Sequence, residues 1–552
     1  MGAYYDLGSF SWPVTTAHRD AQVWFNRGMA WCYGFNHEEA IACFERVLEL
    51  DPKCAMAHWG IAYAVGPNYN KPWAAFDDED KRKSLDRALT SSAAAAGAAP
   101  GASEVERALI GALAKRYPSK PPEDFGPWHD AYADAMRAVH RAHGDDLDVC
   151  ALLAEALMNR TPWQLWDLVT GKPAEGADTL EAAEVLEAAF RKLDTEGANR
   201  HPGLLHMYIH LMEMSPHPER ALKAGDALVG LVPDAGHLIH MPTHIDVLCG
   251  HYHDVVTRNS VAIAADRKFL ERAGPMNFYS AYRCHNYHFK VYGAMFLGQY
   301  APAIETAEDM VRTLPVELLR TGSPPMADWL EGFVPIKQHV LIRFGKWKEI
   351  LEQPLPEDQD LYCVTTAMMR YARTVALAST GEVDAAGAER EAFLAERERV
   401  PGTRMLFNNT CLDILGIAEA MMTGELEYRR GNHVEAFAQL RRAVELDDGL
   451  PYDEPWGWMQ PTRHALGALL MEQGRFDEAE AIYRADLGLD GTLRRACQHP
   501  DNVWSLHGLY ECLARRGETV EAPLIKQRLD LALARTDVPV KASCFCRLER
   551  AA

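Results

Sequence analysis

Apolar residues recur every three or four positions through most of the 552-residue chain, and alternating strand-like runs are almost absent. The stretches 101–116, 129–143, 148–160, 176–193, 363–378 and 382–397 carry this spacing with many Ala, Glu, Leu and Arg residues, which predicts helices. Asp167 to Glu175 breaks the pattern: it holds Gly171 and Pro173 and no large apolar residue after Val169, so it reads as a seam. The chain then divides into an N-terminal helical region over 1–166, a central one over 176–345 and a C-terminal one over 346–552.

Turn signals punctuate these helices. Residues 24–52 place Trp24, Gly28, Trp31, Ala40, Phe44 and Pro52 where two antiparallel helices need them. The small residues permit close approach, the aromatics fill the groove, and Pro52 starts the next helix. The segment resembles one tetratricopeptide repeat. Arg27 stands where that pattern usually has leucine and Val47 where it has a small residue, so altered packing is expected. A glycine leading into an aromatic or His, then an acid and Ala or Val, recurs at Gly250, Gly298, Gly345, Gly431 and Gly474. The second and third show only part of the cue. Intervals of 48, 47, 86 and 43 residues, the longest divided by Gly381, suit repeats of about 34 residues with insertions. The expected fold is all-α: a tetratricopeptide-like superhelix, an α-solenoid able to curl around a central cavity.

Charge narrows the partners. A net charge of −21, spread along the chain, argues against a nucleic-acid backbone or an anionic membrane. No apolar run is long enough to span a bilayer, and the start MGAYYDLGSFSWPV lacks a basic region before an apolar core, so no secretory signal is expected. Twelve cysteines are too few for a disulfide scaffold and fit a reducing, cytoplasmic compartment. Cys544 and Cys546 form the only close pair, which reads as incidental before it reads as a zinc or copper contact. A P-loop, a dinucleotide fingerprint, a GxSxG elbow and a CxxC pair are all missing from the sequence.

Histidine placement adds chemistry. Eleven of the 22 histidines lie between His201 and His288, where an even spread would put about 3.5. His206, His210 and Glu213 fall within roughly a 60° arc of one helix face, where two imidazoles and a carboxylate can converge on a metal. The bland alternative is that both rings pack or hydrogen-bond in helix grooves. His237, His240 and His244 follow in PDAGHLIHMPTHI, with Pro242 predicting a helix start near Met241–Thr243. His240 would then sit in the approach and His244 on the first turn, where neutral imidazole is favoured. His285 and His288 form a third run, preceded by Tyr282 and Arg283. Cys249 and Cys284 adjoin these runs as ligands or buried hydrophobes. His37, His58, Glu155, Asn159, Asn68 and Asn70 are candidates for the same cavity, each with a structural role as the favoured alternative. His464, His499 and His507 would join only if the ends of the array approached.

The runs HMYIHLMEMS, GHLIHMPTHI and CHNYHF, with GFNHEEA, AMAHWGIAYAVGPNYN, AEALMNRTPWQLWD and YDEPWGWMQPTRHALGALL, are similar to a histidine-rich family of bacterial and fungal tetratricopeptide-like proteins. The resemblance implies the fold and carries no activity. The residues lead to a metal-dependent enzyme acting on a small molecule, first as an oxygen-activating oxidoreductase and second as a hydrolase. His206, His210, His237, His240, His244, His285 and His288 would hold one or two transition metals, copper or iron ahead of zinc. Glu213 would be ligand or proton acceptor, Arg283 would orient an anionic substrate, and Tyr208 or Tyr282 would donate a hydrogen bond. The competing class is a non-enzymatic scaffold whose groove binds a peptide or protein.

Overall fold

The computed structural model describes residues 4–118, 122–196 and 200–548. Regular structure is almost wholly helical; among the described residues the named strands are β1 (Met405–Leu406) and β2 (Asn409–Thr410), paired antiparallel with Met405 opposite Thr410. The chain forms two compact units, Met1–Ile245 with Val261–Arg283, and Asp246–Ser260 with Cys284–Ala552.

The first unit opens with α1 (Arg19–Tyr33), α2 (His37–Leu50), α3 (Ala55–Ala64), α4 (Asp78–Ala98), α5 (Glu104–Arg116) and α6 (Gly126–His143). It continues through α7 (Leu147–Met158), α8 (Thr179–Glu196), α9 (Pro202–Glu213), α10 (Leu222–Leu228) and α11 (Gly236–His240). Helices α5 to α8 answer the four predicted stretches between 101 and 193. Local chemistry sets their ends: Ser103 and Glu106 form a capping box on α5, and Asp146 caps α7. The predicted seam is an ordered loop in which Asp167 Oδ1 accepts from Val169 N and Thr170 N, at 3.0 and 2.7 Å.

Packing of α1 on α2 follows from side-chain size. A Cβ on Gly28 would lie 2.4 Å from the Phe44 ring, and one on Gly60 of α3 would lie 2.8 Å from it, so three helices close on one phenyl group. Phe25, Trp31, Ala40 and Val47 are buried with it. Trp24 departs from its expected core place, which Phe25 takes. The indole instead packs on Tyr4, and the Arg27 guanidinium lies 4.4 Å from the Tyr4 ring and 4.5 Å from Trp24. A leucine position has become a cation–π clasp.

Helices α12 (Pro242–Leu248), α13 (Tyr252–Ala273) and α14 (Ser280–Phe296) each contain a point where the chain changes unit. The second unit continues through α15 (Tyr300–Arg312), α16 (Val316–Leu319), α17 (Met326–Leu330), α18 (Ile336–Arg343) and α19 (Trp347–Glu352). Then come α20 (Cys363–Thr380), α21 (Val383–Arg397), α22 (Cys411–Arg429) and α23 (His433–Asp448). The last are α24 (Thr462–Glu472), α25 (Phe476–Asp486), α26 (Val503–Arg515) and α27 (Ala522–Leu533).

Gly250, Gly298, Gly345, Gly381, Gly431 and Gly474 all adopt φ between 62 and 90°, each two residues before the next helix begins. Left-handed backbone there ends one helix and aims the next, and glycine takes it without a Cβ clash. At the corresponding turn between α1 and α2 the residue is Phe35, with φ 54°.

The C-terminal segment stitches the second unit. Arg343 donates to Ser543 O, and the Ser543 hydroxyl meets His464 O at 2.8 Å and Tyr483 Oη at 2.6 Å. Arg547 pairs with Glu511 at 2.6 Å, and the Phe545 side chain fills the space above Gly345. Cys544 and Cys546 are joined in a disulfide rather than standing as an incidental pair, and the other ten cysteines are outside any disulfide.

Candidate metal centre

The first unit builds its centre on α9. His201 caps this helix, accepting from Leu204 N at 3.2 Å through Nδ1 while Nε2 lies 3.1 Å from Asp148. Pro202 supplies the first helical residue, and a Cβ on Gly203 would fall 2.6 Å from the Tyr33 ring, so α9 lies close against the end of α1. One turn on, His206 and His210 share a face, with Glu213 three residues further. The short helices α11 and α12 bring His237, His240 and His244. Pro242 opens α12 as predicted, but His240 closes a helix of its own rather than lying in an approach loop. All six side chains are buried.

Hydrogen-bond partners assign the tautomers. His206 Nδ1 lies 2.6 Å from Tyr33 O, which can only accept, so Nδ1 carries the proton. His210 Nδ1 lies 3.0 Å from Glu213 Oε1 and His244 Nδ1 lies 2.8 Å from Oε2; one carboxylate takes both protons. The Thr243 hydroxyl donates to His240 O at 2.7 Å, and its oxygen lies 3.2 Å from His240 Nδ1. Three imidazoles, those of His206, His210 and His244, therefore keep their lone pairs on Nε2. The Nε2 atoms of His206 and His210 are buried without a hydrogen-bond partner. Those of His240 and His244 face each other at 2.8 Å. His244 Nε2 accepts there: either His240 donates to it from Nε2, or, with His240 in the other tautomer, the two nitrogens share one metal, which at about 2 Å from each leaves them roughly 3 Å apart.

The donors also cluster as a set. One ligand atom each from His206, His210 and His237 lie within 4.8 Å of one another. Burial pushes His210 down to about 3, and holds His206 well below the usual imidazole range with the His210 ring adding to it. Neutral imidazole is the form that binds metal.

Aromatic rings close around these donors. Phe35 stacks on His210 and His237, with centroids 5.9 and 5.5 Å away, and leans on His206 at 4.5 Å. Tyr69 and Trp163 cover His210 at 4.8 and 5.8 Å, and Tyr282 stands edge-on to His237 at 4.9 Å. Among the described residues, four non-glycines have positive φ: Phe35, Trp163, Phe407 and Asp501. The first two pack on this centre, where stored backbone strain is a recurrent companion of function. Sequence reasoning missed Phe35, Tyr69, Trp163 and Thr243. One signal was present: GFNHEEA puts phenylalanine, not glycine, two residues before its helix.

The Tyr208 hydroxyl donates to Glu187 at 3.0 Å, and Arg283, buried, donates to Ser280 at 2.8 Å. His285 and His288 belong to the second unit, where both rings pack on Phe407, at 4.6 and 6.2 Å. Cys284 is buried there and Cys249 partly exposed. His464 and His499 donate to Asp486 at 3.0 and 2.8 Å, and Asn502 and Ser505 complete its shell. Burial opposes the charge, but the His464 and His499 imidazoles hold the Asp486 carboxyl well below its usual range. His507 lies on α26, half-buried. Asn36, not His37, caps α2, and His37 Nδ1 bonds Ala64 O at 2.8 Å. His58 lies within α3. Tyr63 donates to buried Glu155, which Asn159 also reaches at 3.3 Å. Asn68 Oδ1 caps its own turn, accepting from Asn70 N at 2.9 Å and Lys71 N at 2.8 Å.

Residues 21–54 match the tetratricopeptide repeat family model, spanning α1, α2 and the turn between them. The molecule is thus an all-α helical-repeat protein that carries a tetratricopeptide repeat. No curated protein matches the chain. Solved structures similar to it include Naa15/Naa10 bound to HypK-THB, at 13% identity over 93% of this chain and 70% of that one, with a TM-score of 0.21. The Cut9–Hcn1 hetero-tetramer of APC/C has 13% identity over 93% and 87%, TM-score 0.28, and yeast Tom70 has 12% over 93% and 99%, TM-score 0.29. TM-scores this low contribute nothing to the reading of this chain. Among the described residues, no helix is long and apolar enough to cross a membrane.

Proposed function

We propose that this chain is a metalloprotein whose first unit binds a transition-metal ion on His206, His210, His237, His240 and His244 and acts on a small molecule there. The observation that carries the reading is where the protons go: the Nδ1 protons of His206, His210 and His244 are directed to Tyr33 O and Glu213, which leaves their Nε2 lone pairs buried, those of His206 and His210 among aromatic rings. An imidazole donor set suits copper, iron or zinc. A bound metal would supply Lewis-acid or one-electron chemistry. Glu213 acts on the donors rather than as one of them, fixing the tautomers of His210 and His244.

The test is elemental analysis of tag-free protein after dialysis against a mild chelator. One or two equivalents of a single transition metal are expected, falling below half in His206→Ala and His210→Ala with helicity unchanged. Wild-type protein that retains no metal and shows no saturable binding of Cu, Fe, Zn or Mn overturns the reading. A second reading, peptide or protein binding, is favoured by the repeat at 21–54. It predicts a partner whose affinity is indifferent to the histidine substitutions.

A further inference from the structure

The Cys544–Cys546 bridge joins residues only two apart, and so short a loop removes little entropy from the unfolded chain, so cross-linking is a weak reason for it. The segment is also held on both sides without it, by Ser543 on Tyr483 and His464 and by Arg547 on Glu511. Its surroundings in the second unit suit exchange. Cys544 is half-buried and lines a cavity of about 770 Å³, whereas Cys546 is 2% exposed, so Cys544 is the half-cystine open to a molecule in the cavity. The same wall carries Lys346, Lys541, Arg515 and Arg547 against one carboxylate, Glu472. Glu511 offsets Arg515 and Arg547 at 3.1 and 2.6 Å, and Arg429 stands 3.5 Å from Glu472. Lys346 lies over the Tyr300 ring at 4.3 Å, with no carboxylate within 4 Å among the described residues. Those five cations stand against two carboxylates, a balance that draws in an anion and favours thiolate over thiol.

We propose that the Cys544–Cys546 disulfide is a thiol–disulfide exchange site, entered through this cavity by a small anionic thiol. The thiolate attacks Cys544 Sγ; a mixed disulfide forms as the old S–S bond breaks, and the electron pair of that bond leaves on Cys546 Sγ. Arg429, which donates to Cys546 O, sets a cation near the leaving thiolate. A second thiolate attacks the small molecule's sulfur, releases it as its own disulfide and leaves Cys544 as a thiolate. Cys546 N donates to that sulfur at 3.1 Å. The chain gains two electrons and two protons, and two small thiols become one disulfide. The metal centre plays no part in it.

Oxidised full-length protein treated with glutathione, 2-mercaptoethanol or cysteamine, which are anionic, neutral and cationic, tests the site. Reduction is followed by alkylation and mass spectrometry of the C-terminal peptide. Each rate is divided by that of the same thiol with hydroxyethyl disulfide, which removes differences in intrinsic reactivity. Glutathione is expected to lead cysteamine by on the order of 10-fold at low ionic strength, with most of the lead lost at high salt. Lys346→Glu should cut it to about 3-fold or less. In Cys546→Ser, oxidised glutathione should convert Cys544 to a mixed disulfide; in Cys544→Ser, Cys546 should stay unmodified. Wild-type protein that treats the three thiols alike, or favours cysteamine, overturns the proposal and needs no variant to fold. So does a lead untouched by Lys346→Glu, which would place the selection outside this cavity. Equal modification of Cys544 and Cys546 in the two serine variants overturns it too, as does reduced protein that oxidised glutathione fails to close.

Discussion

Phe35 holds a left-handed backbone where Gly250, Gly298, Gly345, Gly381, Gly431 and Gly474 do the same work at other turns. A non-glycine there costs about 1–2 kcal/mol, and the ring against three imidazoles is the compensation. Phe35→Gly relaxes the backbone yet is expected to lose about 2–4 kcal/mol of stability in denaturant unfolding, because the vacated ring volume outweighs the relief. A stabilised variant would show the ring to be dispensable. Glu213→Gln is expected to weaken metal binding about 10–100-fold in a chelator competition, since an amide accepts from one imidazole but presents N–H to the other. Burial pushes Glu155 up to about 8 in the folded protein, above its unfolded value. Its contribution to stability is therefore complete at acid pH and declines as pH rises through about 8. Glu155→Gln should flatten that slope, gaining on the order of 1–3 kcal/mol relative to wild type between pH 5 and pH 8.

At the scale of helices, close approach decides which glycines matter. Gly28 and Gly60 touch Phe44 from two sides, whereas Gly111, exposed on α5, would meet nothing within 4 Å of an added Cβ. Gly28→Ala is expected to destabilise by about 1–3 kcal/mol through overpacking. Gly111→Ala should stabilise by about 0.5–1 kcal/mol through helix propensity alone. Far-UV circular dichroism during urea unfolding reads both, and equal effects would contradict the packing assigned to α1, α2 and α3.

At the scale of the whole chain, stability of the second unit depends on a segment far along the sequence. Ser543, Phe545 and Arg547 tie α18, α24, α25 and α26 together. Removal of residues 538–552 is expected to lower Tm by about 5 °C or more in differential scanning calorimetry, with the loss of several buried hydrogen bonds as the cause. An unchanged Tm would mean that the segment covers the helices without supporting them.

Much of this was legible in one dimension. Helical spacing located α5 to α8, α20 and α21, because burial of one face every 3.6 residues writes itself directly into composition. The left-handed glycines were legible too, since no other residue adopts that backbone so cheaply. The first two histidine runs marked the region of the candidate centre, and the His206, His210, Glu213 spacing marked one helix of it. Helix geometry alone could not say that Glu213 would serve His244, 31 residues away, or that the Tyr208 hydroxyl would turn to Glu187. Nor could it put Phe25 inside and Trp24 outside, since adjacent residues differ by a rotation that only the neighbouring helix resolves. Local sequence determined the helices, their turns and the stock of donors. Tertiary packing decided which nitrogen of His206 and His244 kept its lone pair, because a tautomer is set by the acceptor that faces it, and for these two rings the acceptor stands on another helix.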